Sequence, residues 1–470
     1  MKKFKTREGN FMKSKNSTSN MMYTVLIVLV PFIIFGTFKN GIYPAVKGYG
    51  NLYTVFKPLL YIVIPALVCL LVEYLYYLLK KDKKSFSELF GESYALLPGV
   101  FLGLITSINT PLWLLILGSV IASLSKMIFG GLGKNKLNPA LVGALFVTVI
   151  FSSFLGGYLN LYEADVISSA TPLSNMTASS YLVTYDNLVA PFGTLWTFFF
   201  GNMPGAIGET CSFLCIVALI YLIYAKVIKW RVPISYLLSV ALISLIICIT
   251  KDIGLWFVLF NLLSGGLLFG AVFMATDPVT SPMSHTGQVI GGILLGILTM
   301  AIRYLTKLPE GVLVSILIYN IITIFLNKLT IKTYGKRTLN TCLIVSVGML
   351  CLLSSFVIGK NIITREPDDT YKIISKEKVG NNTIYEVLGR GYAGNNSIKL
   401  KITFTGNDVS NIEVLSNHET YMGMIYDNDY LDKIIDNQNN LDNLDTISGC
   451  TYTSKYLKEI VEKTKNDYNR

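Results

Sequence analysis

The chain has 470 residues, 52% of them hydrophobic and only 15% charged, with a formal net charge of +11. That composition excludes an ordinary soluble protein and points to a polytopic α-helical membrane protein, since apolar runs of ~18 residues or more recur over the first three quarters. The positive charge sits in short loops between those runs, the pattern of the positive-inside rule, so no nucleic-acid partner is expected and the bilayer is.

Residues 1–20 form a basic N-terminus containing Lys2, Lys3, Lys5, Arg7, Lys13 and Lys15. No small-residue cleavage site follows the first apolar run, so an uncleaved span is expected there. Eleven spans are predicted, at 21–38, 57–79, 94–108, 111–129, 137–156, 205–226, 233–250, 253–274, 287–305, 310–328 and 339–359. With the N-terminus inside, alternation places Lys80, Lys81, Lys83, Lys84, Lys134, Lys136, Lys226, Lys229, Arg231, Lys328, Lys332, Lys336 and Arg337 inside as well. The short outer loops hold fewer basic residues, Lys39, Lys47, Lys251 and Lys307, with Arg303 near a span end on the same side. The same alternation puts the loop of about 157–204 and the tail after the eleventh span in one outer compartment.

Six of the seven cysteines fall in apolar runs and there is no Cys-x-x-Cys. Cys211 and Cys215 share a helix face, but two thiols make a poor metal site, so small buried hydrophobes and no metal are expected. Glu73 is an intramembrane carboxylate, open to two readings: ion passage, or pairing and snorkelling toward the nearby lysines. Asn138-Pro139 suggests a helix break that lines a cavity. His285 reads as a polar loop residue.

The tail, 360–470, has a different composition. Alternating segments at 383–388, 397–404 and 412–415 read as strands, with turn signals at Asn381-Asn382 and Gly406-Asn407. Helices are expected near 427–435 and 454–463, giving an α+β domain large enough for its own core.

One pattern, Asp-x-Ile-Ser-x-x-Thr, occurs twice: Asp165 to Thr171 in the outer loop, and Asp445 to Thr451 in the tail. Thr451 lies just before the last helix, where a bound phosphate would meet free backbone N–H groups. Ser448, Gly449 and Thr453 could assist, or these residues could simply cap the helix. Thr171 precedes Pro172, so it belongs to a helix start or a loop.

The segment Ser168-Ser169-Ala170-Thr171-Pro172-Leu173 resembles the threonine site at which a flavin transferase attaches FMN in the membrane D subunit of Rnf electron-transport complexes. That protein is related to the B subunit of the sodium-pumping NADH:quinone reductase. Further segments are similar to the same family in the same order: Gly130-Gly131 through Asn138-Pro139-Ala140, Gly208-Glu209-Thr210, and Ala275-Thr276-Asp277-Pro278-Val279. The tail resembles the FMN-binding G subunit of Rnf, akin to the C subunit of the quinone reductase. Its matching features are His418-Glu419-Thr420 and Ser448-Gly449-Cys450-Thr451, with Cys450 where that family usually has alanine.

The resemblance implies a natural fusion: a D-type membrane domain over 21–330, a G-type transmembrane anchor over 339–359 and an outer FMN-binding domain over 360–470. It implies covalent FMN on Thr171 and Thr451, with Asp165, Ser168, Ser169, Ser448, Gly449, Thr453, His418 and Glu419 around them, and non-covalent riboflavin as a further cofactor. Glu73, Glu209 and Asp277 become candidates for an ion path, set against capping and loop roles. The implied partners within an Rnf-type complex are its membrane A and E subunits, its iron–sulfur B subunit and its NADH- and flavin-binding C subunit, together with a flavin transferase. The implied activity is that of a redox-driven Na⁺ or H⁺ translocase, of ferredoxin:NAD type or, alternatively, of quinone-reductase type. A solute transporter or a membrane-anchored ligand-binding module is a reading of another class, which leaves the repeated motif unexplained.

Overall fold

A computed structural model describes residues 18–48, 50–80, 94–131, 133–155, 157–158, 171–306, 308, 310–364, 371–380, 382–392, 394–406, 408–419, 422–438, 440–441, 444–447 and 450–468. Among these residues, six helices are long and apolar enough to cross a membrane. They are Thr18–Val46 (α1), Leu52–Leu79 (α2), Arg231–Lys251, His285–Leu305, Val312–Lys332 and Arg337–Lys360. A pair, Trp256–Leu263 and Leu267–Met274, bent by 60° at its break, is either a broken seventh span or a re-entrant loop. Between α2 and Arg231 lie Leu96–Leu104 (α3), Leu112–Ile128 (α4), Pro139–Ile150 (α5), the short Pro172–Ala178 (α6) and Ser212–Tyr224 (α7). Arg231–Lys251 is then α8, the bent pair α9 and α10, His285–Leu305 α11, Val312–Lys332 α12 and Arg337–Lys360 α13.

In chain order the long helices, the bent pair, α3, α4, α5 and α7 occupy the eleven positions where spans are expected. Length and apolarity qualify six or seven of them as full crossings. The shortfall has a physical cause. Helix α3 has only nine residues and gives way to irregular backbone at 105–111, where the carbonyls of Thr106 and Thr110 accept from Ile207 N and Tyr61 Oη and side chains add further bonds inside the protein. Ser107 Oγ and Asn109 Nδ2, for example, donate to the Gly157 carbonyl at 2.8 and 3.0 Å.

Small residues set the closest helix contacts. On α11, Gly292 and Gly296 face Ser235 and Ser239 of α8 so tightly that a Cβ on either glycine would collide with a serine hydroxyl. This is the small-residue packing by which membrane helices gain dispersion contact. Helix α13 lies against α8 and α11 through Cys351, Ser355, Ile358 and Gly359, while most of its other residues stay exposed. The anchor therefore packs as part of the bundle.

The tail forms one antiparallel sheet in the order β1-β2-β3-β4: Tyr371–Val379, Asn382–Gly391, Gly394–Thr405 and Asp408–Asn417. Gly380 (φ +65°) and Gly406 (φ +66°) allow the left-handed turns of the first and third connections. Helices Met422–Asp427 (α14), Tyr430–Asp436 (α15) and Thr451–Tyr468 (α16) follow. Leu457, Ile460 and Val461 of α16 pack with Tyr385, Val387, Ile398 and Leu400 in the core. Gly389 leaves the room that Ile460 fills. The sheet has one strand more than expected, because β1 is an edge strand whose exposed Lys/Glu-rich end lacks an apolar alternation. The helix expected near 427–435 is α15, preceded by the unexpected α14 and separated from it by Asn428 and by Asp429 in left-handed conformation.

Candidate functional site

Thr171 is the N-cap of α6, its Oγ1 accepting from Ser174 N at 3.1 Å and lying 2.9 Å from Ser174 Oγ. Pro172 at the first helical position fixes the backbone there. Thr171 is buried, and Asp165, Ser168 and Ser169 lie outside the described residues. Helix α6 docks through Leu173 onto Gly265, which has φ +64° at the break between α9 and α10. Arg303 holds that break: fully buried, it donates to the carbonyls of Asn261 (2.8 Å) and Ser264 (3.1 Å). Its place as an exception among basic-poor outer loops is thereby explained, since it belongs to α11 and neutralises a helix C-terminus within the bundle.

The loop that follows α6 meets the stem of the tail. Val183 N donates to Ile363 O at 2.8 Å and Ile363 N to Tyr181 O at 3.0 Å, forming a bridge between Leu182 and Ile363. Asn361 Nδ2 adds a bond to Tyr304 O. The Thr171 loop and the start of the tail thus lie at the same end of the bundle.

Glu209 is buried against Gly266, where a Cβ would collide with its carboxylate. With Glu310 it lines a small cavity of about 260 Å³ beside the π turn Gly270–Met274. The neighbouring loop is fixed by Lys39, which sits in a second π turn, Phe38–Ile42, and donates to Thr210 Oγ1 (2.9 Å) and Met203 O (2.5 Å). π turns are often found at functional sites. Lys39 and Glu310 are absent from the sequence-derived candidates, although a lone lysine continuing an apolar run was a readable signal.

Toward the opposite end, Glu73 of α2 and Lys126 of α4 form a buried ion pair at 2.7 Å. A neighbouring helix thus supplies a partner for Glu73; Lys81, Lys83 and Lys84 lie outside the described residues. Lys126 also lines a cleft of about 840 Å³ together with Asn138, Asp277, Thr276 and Tyr94. Asn138 caps α5 by accepting from Ala140 N, ahead of Pro139. Asp277 accepts from Thr280 Oγ1 at 3.1 Å and from Val279 N at 3.4 Å. Folding therefore brings the Gly-rich loop, the Ala-Thr-Asp-Pro-Val loop and, through Lys126, Glu73 to one cleft. His285, the first residue of α11, is exposed outside it.

In the tail, α16 begins at Thr451 itself; Ser448 and Gly449 lie outside the described residues. Glu419 is buried, its Oε1 accepting from Ser397 Oγ (2.8 Å) and its Oε2 from Tyr392 N (2.8 Å) and Thr453 Oγ1 (2.7 Å). One carboxylate thus ties β2 and β3 to the first turn of α16, with Gly391 leaving the space it occupies. His418 is exposed, and its N–H donates to Ser397 O at 2.9 Å. Cys450 is buried among core residues, and burial pushes its thiol up, so it stays protonated and fills the alanine position as a small hydrophobe. All seven cysteines are free; Cys342 alone is exposed.

Residues 5–335 match the NQR2, RnfD, RnfE family, and residues 391–466 match the FMN-binding domain. The D subunit of the proton-translocating ferredoxin:NAD(+) oxidoreductase complex of Clostridium ljungdahlii is 31% identical over 67% of this chain and 90% of its own length. The D subunit of the Na(+)-translocating ferredoxin:NAD(+) oxidoreductase complex of Acetobacterium woodii is 34% identical over 50% of this chain and 70% of its own. The B subunit of the Na(+)-translocating NADH-quinone reductase of Chromohalobacter salexigens is 30% identical over 51% of this chain and 58% of its own.

Proposed function

The chain belongs to the NQR2, RnfD, RnfE family and ends in an FMN-binding domain, and on that premise we propose that it is the flavin-carrying membrane subunit of an ion-translocating ferredoxin:NAD oxidoreductase of Rnf type. The single observation that carries this reading is the Leu182–Ile363 bridge, which brings the loop after Thr171 and the stem of the FMN-binding domain to one end of the bundle. Two one-electron carriers there can serve the same relay. The ferredoxin type is favoured over the quinone-reductase type because its D subunit is matched over 90% of its length, against 58% for the reductase's B subunit.

FMN, esterified at Thr171 and at Thr451, supplies the one-electron chemistry, which the protein orients and tunes. The residues present fit such esters. A phosphoester oxygen on Thr171 keeps the lone pair that accepts from Ser174 N, and Ser174 Oγ becomes the donor to it. At Thr451 the start of an 18-residue helix offers the positive end of its dipole to a phosphate. Thr453 and Glu419 brace that turn, so we assign them to positioning the acceptor; His418 is left exposed beside it. Asp165, Ser168, Ser169, Ser448 and Gly449 are proposed as the surroundings through which the transferase recognises the two threonines.

Residues 21–330 would form the D-type membrane domain, with ten of the eleven spans, and 339–359 the G-type anchor. The basic N-terminus would lie in the cytoplasm and both threonines outside. Glu209, beneath the Thr171 end, and Glu73 with Asp277, around the opposite cleft, would serve the ion path for Na⁺ or H⁺. That cleft, lined by Lys126, Asn138, Thr276 and Asp277, would be the place for a non-covalent riboflavin. The A, B, C and E subunits of an Rnf-type assembly would complete the complex.

The test is flavin fluorescence of the denatured chain on a gel after co-expression with a flavin transferase. Thr171→Val and Thr451→Val should each remove part of the signal and the double variant all of it. A wild-type chain that stays dark beside an active transferase sinks the reading.

A further inference from the structure

Asn320 interrupts the apolar run of α12 and is buried to 1% exposure. A buried amide in such a setting is costly unless its oxygen and its nitrogen both find partners. With the amide turned so that both do, its oxygen accepts from Asn138 N at 3.0 Å, and its nitrogen donates to Thr280 Oγ1 and to Ile316 O, each at 3.3 Å. Thr280, itself buried, extends the chain: its Oγ1 donates to Asp277 Oδ2 at 3.1 Å. The order is amide, hydroxyl, carboxylate. A hydroxyl oxygen that accepts from Asn320 keeps its own proton for Asp277, so the first bond fixes the direction of the second.

The bond to Ile316 stays within α12, while the other two leave it for two separate segments. Asn138 ends the Gly-rich loop and caps α5. Thr280 follows Asp277 in the loop after α10. Asn138 and Asp277 both line the cleft that Lys126 shares, and Asn320 and Thr280 stand behind that lining. Asn320 therefore sets two parts of the cleft wall against each other without belonging to it. A carboxylate is favoured over its protonated form by each hydrogen bond it accepts. The other titratable groups on the cleft are Tyr94 and Lys126, the latter paired with Glu73.

We propose that Asn320 is a positioning residue for Asp277, holding its carboxylate ionised and in register with the Asn138 cap through the Thr280 hydroxyl. An ionised carboxylate draws a cation to the inner cleft, a consequence that rests on the reading of Asp277 as part of the ion path.

The test is carbodiimide labelling of the purified full chain, a reaction of protonated carboxyl groups, with the Asp277 peptide read by mass spectrometry across a pH series. Asn320→Leu should move the midpoint of Asp277 labelling up by about one pH unit, a tenfold rise in proton affinity, as expected for losing a hydrogen bond to a charged group. Thr280→Val, which keeps the shape of the side chain without its hydroxyl, should move the midpoint as far. The double variant should go no further than Thr280→Val alone, because Asn320 acts through that hydroxyl. Asn320→Ala takes the place of the leucine variant if that chain does not fold. An unmoved midpoint, or shifts that add in the double variant, overturns the proposal. If the midpoints move as expected while Asp277→Asn leaves the cation-coupled turnover of the assembled complex intact, the positioning role stands and the ion-path reading falls instead.

Discussion

Glu73 and Lys126 come from apolar helices and meet at 2.7 Å with both side chains buried. Neither charge would be tolerated there alone, because an isolated ion in this setting loses its hydration without compensation. Lys126→Met should therefore destabilise the protein by about 3–5 kcal/mol, read as thermal unfolding in detergent micelles. The Glu73→Gln, Lys126→Met double variant should recover most of that loss; a double variant as unstable as the single one would show that the pair is not what matters. Sequence made Glu73 visible as a costly carboxylate but gave no means of choosing its partner, since fifty-three positions separate the pair. The same holds for Arg303, which reads as a loop charge and is in fact the cap of the break between α9 and α10. Thr171 and Thr451 differ in kind: they are offered as candidates by a motif that is local to each.

Among the elements, the long helices announce themselves by composition, whereas the interrupted ones show the limits of hydropathy. A window average merges α9 and α10 into one run, and only Gly265 with its positive φ and the Arg303 bonds reveals the bend. Packing between α8 and α11 depends on the absence of side chains at Gly292 and Gly296. Gly296→Ala should cost about 1–3 kcal/mol by overpacking, and a second change, Ser239→Gly, should restore the loss by making room. The check is the melting temperature of the two variants beside wild type; equal melting of Gly296→Ala and wild type would refute the tight contact. In the tail, β2, β3 and β4 were legible from alternation, while β1 was missed because an edge strand with one solvated face can be polar throughout much of its length.

For the whole molecule, the packing of α13 on α8 and α11 and the bridge from Leu182 to Ile363 make the membrane domain and the stem of the FMN-binding domain one connected structure. Under the proposed function, Thr171 and Thr451 would then face one compartment. In a chain without its native cysteines, Asn437→Cys on the tail should react with a membrane-impermeant maleimide in intact cells. Gly133→Cys, in the loop between α4 and α5, should react only after permeabilisation. Labelling of both from outside would overturn the proposed topology. The sequence by itself determined the membrane class, the order of apolar segments and the family resemblance, because hydropathy, charge bias and short motifs are local properties. Tertiary structure alone decided the partner of Glu73, the cleft shared by Asn138 and Asp277, the clasp of Glu419 on the first turn of α16 and the bonds that join Asn320 to Asn138 and Thr280. Each depends on which distant segments meet, and burial turns such a meeting into an energetic requirement.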